Sequence, residues 1–369
     1  MMPQVYRVYY STDQTTWTQL SNVESINAFV GRNSLISPFE PSRATVTLRY
    51  PSGYASPITA LVTGTWIKFD RQGGTYEMWR GKIRNVTANW GKPYRNSVGA
   101  ADFLTIECEG AMAEWGRQSG YDTAVPADDL LTQMTTVAGI GNLQYGTTYT
   151  AATSPELAAS TVSDSLLTWV NTAAASVGAT LKDGSGILGL NTQDFLGLLP
   201  VSFSDVTNNS THQLYDELTF DSLAQDYFTL VQVDMNTGST VLSDAGVEPA
   251  RTLRLSTFNA STAQAQDLAD WYRGQFDTAS FGISSISCTA SAQNTFALEL
   301  GYGYWDIPGY RTEVTFRGST YTMTILGVEF TADAFDSRFT YLVADADLTP
   351  YFILDSDDYG VLDQNKLNW

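Results

Sequence analysis

The chain has 369 residues, more than one ordinary domain of ~100–200 residues holds, so two or three are expected. Hydrophobic residues make up 43% and aromatics 12%, which excludes wholesale disorder. The 39 acidic residues against 20 basic ones leave a net charge of −19, which excludes ordinary nucleic-acid binding through neutralised phosphates.

The opening Met1-Met2-Pro3-Gln4-Val5-Tyr6 carries neither the basic nor the apolar stretch of a signal peptide. No uninterrupted apolar run approaches the ~18 residues of a membrane span. Val5–Tyr10 reads as extended, and Ser11-Thr12-Asp13-Gln14 as a polar turn. In Ala44–Tyr50, Ala44, Val46, Leu48 and Tyr50 share one face while Thr45, Thr47 and Arg49 take the other, the alternation of a half-buried strand. Pro51-Ser52-Gly53 stops it. Ile67 and Phe69 lead into the turn Arg71-Gln72-Gly73-Gly74, and Tyr76 and Met78 return. Leu104, Ile106 and Cys108 point inward from a further alternating strand, with Glu107 and Glu109 outward. Residues 1–112 are therefore expected to form a small β-barrel or sandwich.

From 113 to 200 the spacing becomes helical. Asp128 is expected to cap a helix carrying Leu130, Leu131, Met134 and Val137, and Asp164 a second carrying Leu167, Val170, Ala174 and Val177. Gly139–Ser154 reads as a loop, and Thr180–Leu190, with Gly184-Ser185-Gly186 at its turn, as a hairpin. A mixed α/β middle domain is expected here.

Residues 201–345 return to β character. Tyr227–Val233 and Arg251–Ser256 are strand candidates, with a turn at Asn236-Thr237-Gly238-Ser239. One helix interrupts them, capped by Ser261 or Thr262, with Ala265, Leu268, Ala269, Tyr272 and Phe276 as its apolar stripe. Val314–Phe316, a turn at Arg317-Gly318-Ser319, and Tyr321, Met323 and Ile325 on one face follow, and Phe339, Tyr341 and Val343 close the region. The hairpin Ile67-Lys68-Phe69…Tyr76-Glu77-Met78…Gly81 recurs as Val314-Thr315-Phe316…Tyr321-Thr322-Met323…Gly327, which points to two related barrels. The remainder, 346–369, places Asp347, Asp355, Asp357, Asp358 and Asp363 among Tyr351, Phe352, Leu354 and Trp369, a tail expected to dock on the body or on a neighbouring subunit.

Chemistry is sparse. His212 is the single histidine, in the loop-like Asn208–Gln213, which excludes zinc sites needing two. No G-x-S-x-G elbow offers a serine nucleophile. Glu107 with Glu109 reads as solvated decoration, and Asp128-Asp129 as a helix cap. Asp355-Ser356-Asp357-Asp358-Tyr359-Gly360 fails the EF-hand pattern at Tyr359 and Lys366. Gly301-Tyr302-Gly303 and Gly184-Ser185-Gly186 lack a phosphate loop's Gly-Lys-Ser/Thr. Cys108 and Cys288 are expected to be reduced, packed thiols, as in a protein folded in a cytoplasm; whether they meet is left open. No catalytic, cofactor-binding or metal residue is expected, and no enzymatic activity.

The ordered set Gly31-Arg32, Pro41-Ser42-Arg43-Ala44-Thr45-Val46-Thr47-Leu48, Gly64-Thr65-Trp66-Ile67, Trp79-Arg80-Gly81-Lys82-Ile83 and Ile106-Glu107-Cys108-Glu109-Gly110 resembles the opening barrel of phage tail-tip and baseplate hub proteins, including minor tail proteins of long-tailed phages infecting actinobacteria. Asp267–Tyr272 and the closing Tyr351–Asp363 are similar to later parts of the same proteins. The resemblance implies a mainly β chain with two tube-like barrels, 1–112 and 201–345, flanking the α/β domain 113–200. It implies a homotrimeric hub whose barrels make a pseudo-sixfold ring around the DNA channel, in the virion tail tip after synthesis in the host cytoplasm. The expected partners are the distal tail or tail tube protein, the tape measure protein and other minor tail proteins. DNA would pass without specific binding, and the acidic excess would suit such a lumen, because like charge repels the strand. No appended peptidase or lysozyme-like domain is expected, so the resemblance does not imply lytic activity. Two alternatives stand beside it: a hexameric distal tail ring with one barrel per subunit, and a carbohydrate-binding module using Tyr302, Tyr304, Trp305 and Tyr310. A carboxylate-based glycosidase comes last.

Overall fold

A computed structural model describes residues 6–51, 60–71, 77–89, 101–147, 149–150, 154–183, 186–191, 202–206, 212–222, 227–276, 281–289, 307–333 and 337–345. The turns at Ser52-Gly53, Gln72-Gly73-Gly74 and Gly184-Ser185, the return residue Tyr76, the cluster Gly301–Trp305 and the tail 346–369 lie outside the described residues.

The first region forms β1 (Tyr6–Ser11), β2 (Thr18–Gln19), β3 (Val23–Gly31), β4 (Arg43–Pro51), β5 (Trp66–Arg71), β6 (Glu77–Asn89) and β7 (Ala101–Glu109). Side chains alternate across a strand, so one face is buried where every second residue is apolar. Ala44, Val46 and Leu48 in β4, Ile67 and Phe69 in β5, and Leu104, Ile106 and Cys108 in β7 are all buried. The order in the sheet is β2-β1-β5-β6-β7-β4-β3, antiparallel from β1 to β3.

The middle of the chain forms α1 (Met112–Arg117), β8 (Thr123–Val125), β9 (Asp128–Asp129), α2 (Leu130–Gly141), β10 (Tyr145–Thr147), β11 (Glu156–Leu157), β12 (Ser160–Val162), α3 (Leu166–Ser176), β13 (Thr180–Lys182) and β14 (Leu188–Asn191). Their apolar faces share a core that includes Trp115, Met134, Trp169, Val170, Leu181 and Leu190. Both helices start one residue later than expected. Asp129, not Asp128, caps α2, and Ser165, not Asp164, caps α3. In each adjacent polar pair the residue that caps is the one whose side chain reaches the free N–H groups of the first turn. The expected hairpin is β13 with β14, and β10 adds a parallel strand from within the stretch read as loop.

Next come β15 (Ser202–Ser204), β16 (His212–Leu214) and β17 (Glu217–Ser222), then β18 (Leu230–Met235), β19 (Thr240–Asp244), β20 (Thr252–Thr257) and α4 (Thr262–Phe276). The chain continues through β21 (Phe281–Thr289), β22 (Arg311–Phe316), β23 (Ser319–Ala332) and β24 (Ser337–Asp345). α4 buries the whole predicted stripe, Ala265, Leu268, Ala269, Tyr272 and Phe276. It starts with a capping box: Ser261 Oγ accepts from Gln264 N, and Gln264 Oε1 accepts from Ser261 N. The strand candidates before it do not join the main sheet. β19, β18 and β20 form their own three-stranded sheet and pack with α4 around Val231, Val233 and Leu268.

The remaining strands extend the main sheet to 14, because β3 pairs with β23. Strand order exposes a duplication. The first half runs β1-β5-β6-β7-β4-β3 and the second β15-β22-β23-β24-β21-β17, the same permutation of six strands. Irregularities match as well. A bulge skips Arg84 between β6 and β7, and another skips Leu326 between β23 and β24. Beside the first, Gly64 N donates to Ile83 O and Ile83 N to Thr65 O; beside the second, Gly309 N donates to Ile325 O and Ile325 N to Tyr310 O. Gly64 and Gly309 share left-handed φ values of 90° and 97°. The halves differ at one end, where β1 pairs antiparallel to β5 but β15 parallel to β22. The hairpins singled out as a repeat thus occupy equivalent places, but the bulges equate Gly81 with Met323, not with Gly327.

Each half rolls up. Tyr6 on β1 packs against Phe330 on β23 at 4.9 Å between ring centres, although five strands separate them in the sheet. Phe220 on β17 meets Phe316 on β22 at 5.3 Å across the second half. One continuous core runs through both halves, from Val8, Val46 and Ile106 to Ile286, Val328 and Tyr341. Of the residues expected on one face, Met323 and Ile325 are buried while Tyr321, nearer the hairpin end, is 40% exposed.

Candidate assembly interface

The joint between the halves is built from backbone. β3 ends at Gly31, directly opposite Gly327 of β23, and Ile26 faces Ala332 at the other end of the register. Gly31 has φ +112°, and a Cβ there would lie 2.3 Å from Leu326 O. Only glycine permits that approach with that backbone. Arg32 N then donates to Leu326 O and closes the joint.

The loop after Gly31 ties all three cores together. Leu35 enters the α4 core and Phe39 the middle core. The Arg32 guanidinium lies 4.6 Å over the Phe39 ring and donates to Leu35 O at 2.8 Å. Its burial lowers the guanidinium pKa. Asn171 on α3 clamps Phe39, accepting from its N–H and donating to its carbonyl. Asp183, 2% exposed, accepts from the backbone N–H groups of Ser42, Ala111 and Met112. Trp79, fully buried, donates its indole N–H to Ser42 Oγ at 3.0 Å. The loop Arg32–Ser42 thus reaches from the joint to the α4 core through Leu35 and to the core around α2 and α3 through Phe39, and Asp183 holds its end.

Residues weighed for chemistry lie apart from it. His212 opens the short strand β16, half-buried, instead of standing in a surface loop; the preceding Asn208–Thr211 lie outside the described residues. Glu109 pairs with Arg117, and Glu114 with Lys82 and Arg117, at the outer face of β6 and β7. Glu107 is exposed on that face. Among the described residues no group of three or more His, Cys, Asp or Glu is placed to hold a metal. The Asp355–Asp358 loop lies outside them. Cys108 and Cys288 are buried, free thiols in the shared core, and burial pushes both well above the usual thiol range. Tyr310 is half-buried, with Lys182 Nζ 4.8 Å from its ring centre, while Tyr302, Tyr304 and Trp305 lie outside the described residues. No helix among the described residues is long and apolar enough to cross a membrane.

No protein-family model and no curated protein matches this chain. Solved structures do. The 43-kDa tail protein of prophage MuSo2 from Shewanella oneidensis superposes with a TM-score of 0.64 at 13% identity, over 92% of this chain and 98% of its own. A tail protein from Neisseria meningitidis gives 0.63 at 13% identity, over 93% and 96%. An E. coli type VI secretion component, described as similar to the T4 phage tail proteins gp27 and gp5, gives 0.54 at 11% identity, over 96% of this chain and 78% of its own. The fold is therefore that of phage and prophage tail proteins.

Proposed function

We propose that this chain is a structural protein of a phage tail tip, a non-enzymatic hub ring that joins the tail tube to the distal tip and surrounds the DNA channel. The carrying observation is the duplication: two six-strand units of one topology, each rolled up, joined edge to edge in a single chain. A chain that already holds two equivalent units makes a sixfold-like ring from three copies. A threefold tip can then meet a sixfold tube, and closed symmetry ends the growth. In this reading 1–112 and 201–345 supply the tube-like barrels and 113–200 faces outward or downward. The 346–369 tail docks on the body or on a neighbour. The ring meets the distal tail or tail tube protein, the tape measure protein and other minor tail proteins. The net charge of −19 supports a lumen that repels DNA instead of binding it.

Size exclusion with light scattering tests the proposal. Three copies of the 40.4-kDa chain in a discrete species support it. A discrete hexamer would move the chain to the distal tail ring.

A further inference from the structure

In the first half of the chain, the outer edge of β6 beyond its pairing with β5 is open among the described strands, whereas the equivalent edge of β23 is taken by β3. Burial follows that difference. Arg84, Asn85, Thr87 and Ala88 are exposed, while their equivalents Leu326, Gly327 and Phe330 are buried and only Glu329 is exposed. The reverse holds for the other partner of the joint. β3 is covered on both edges, by β4 and β23, and buries Ile26, Ala28 and Val30. Its counterpart β17 pairs with β21 alone among the described strands, and Leu218 and Phe220, the equivalents of Ile26 and Ala28, are only half-buried. Among the described strands, the chain thus carries one completed copy of a joint and the two edges that correspond to the halves of a second copy.

We infer that β17 of one copy of this chain pairs antiparallel with the Asn85–Asn89 segment of β6 in the next copy, repeating between chains the β3–β23 joint found within one. An exposed strand edge is a template for another strand, and proteins that leave one open cover it in their assembly. The contact is heterologous, using different edges on the two copies, so it passes from chain to chain and closes only if the rotation allows. The internal joint supplies the register. Val46 pairs with Ile26 and Ile106, and its counterpart Ile286 with Leu218 and Tyr341, so Leu218 stands for Ile26 and Thr219 for Asn27. Because Asn27 faces Thr331, the equivalent of Asn89, Thr219 of one copy faces Asn89 of the next. The inference rests on the hub reading for ring closure, but on the duplication alone for the choice of edges.

Paired cysteines test it in the full chain. The native thiols are buried, and both chosen positions are exposed. Asn27→Cys with Thr331→Cys, the internal pair, should oxidise to a bridge within one chain and validate the conditions. Asn89→Cys with Thr219→Cys should oxidise between chains, so that non-reducing gels show covalent trimers that return to monomer on reduction. A discrete trimer by light scattering that never bridges at these positions, while the internal pair does, overturns the edge assignment and leaves the ring standing. An open-ended covalent ladder with no discrete trimer supports the edge assignment and sinks the closed ring. A monomer at every concentration without bridging overturns the assignment.

Discussion

At the scale of single residues, the most consequential group is Asp183. A buried carboxylate is tolerated where hydrogen-bond donors replace water, and here the donors are the N–H groups of Ser42, Ala111 and Met112. Those three residues belong to the end of the Arg32–Ser42 loop and to the entry into α1. One side chain therefore holds the first half of the sheet against the middle core. Removing it orphans several buried donors at a cost of ~1–3 kcal/mol each. Asp183→Ala is expected to lose about 3 kcal/mol or more in urea unfolding, with Asp183→Asn intermediate because its amide oxygen still accepts; an Ala variant as stable as the parent would show that this carboxylate is dispensable. Nothing in the sequence around Lys182-Asp183-Gly184 distinguishes this aspartate from an ordinary turn residue. Its role arises because Ser42, distant in sequence, is brought to it.

At the scale of elements, the helix caps and the turns at Asn236–Ser239 and Arg317–Ser319 were legible to within a residue. Arg317 and Gly318 both adopt left-handed φ, 50° and 83°, and make the tight turn between β22 and β23. At the start of α2, Asp129 accepts from the hydroxyls of Ser154 and Thr132 and from the backbone N–H groups of Thr132 and Leu131, which hold its pKa down from 3.8 to about 2. A folded-state pKa below the unfolded one contributes stability above pH ~4 that is lost as pH falls through about 2. Asp129→Ala is expected to cost about 1 kcal/mol at neutral pH. Asp129→Asn keeps a capping oxygen but cannot titrate, so the stability gap between parent and this variant should shrink between pH 4 and pH 2. Thermal midpoints measured at both pH values check it; a gap independent of pH would remove the cap from the acid response. Ser154 lies 25 residues from Asp129, so the sequence offers the cap but not its strongest partner.

At the scale of the molecule, the two halves share one core as well as one sheet. Cys108 sits in β7 of the first half and Cys288 in β21 of the second, and burial suppresses both thiolates. If that core opens as a unit, a thiol reagent should label both cysteines at the same denaturant concentration, coincident with loss of tryptophan fluorescence. Labelling of one at distinctly lower denaturant would show that the halves unfold independently despite the β3–β23 joint.

The amino-acid sequence by itself determined the local periods. Alternation identified Ala44-Val46-Leu48 and Leu104-Ile106-Cys108 as inward rows, and the 3-4 spacing of Ala265, Leu268, Ala269, Tyr272 and Phe276 identified α4. These patterns record which side of a strand or helix meets apolar surroundings, and that is a property of neighbours in the chain. They carry no label for the strand alongside. Only the tertiary structure decided that β3 pairs with β23 across the length of the molecule, and that β18, β19 and β20 leave the main sheet for α4. It also showed that the repeat is registered by Gly64 and Gly309 and by the bulges at Arg84 and Leu326, since a bulge is defined by two residues opposing one on another strand. Side-chain chemistry chose the faces, and backbone pairing between distant segments chose the partners.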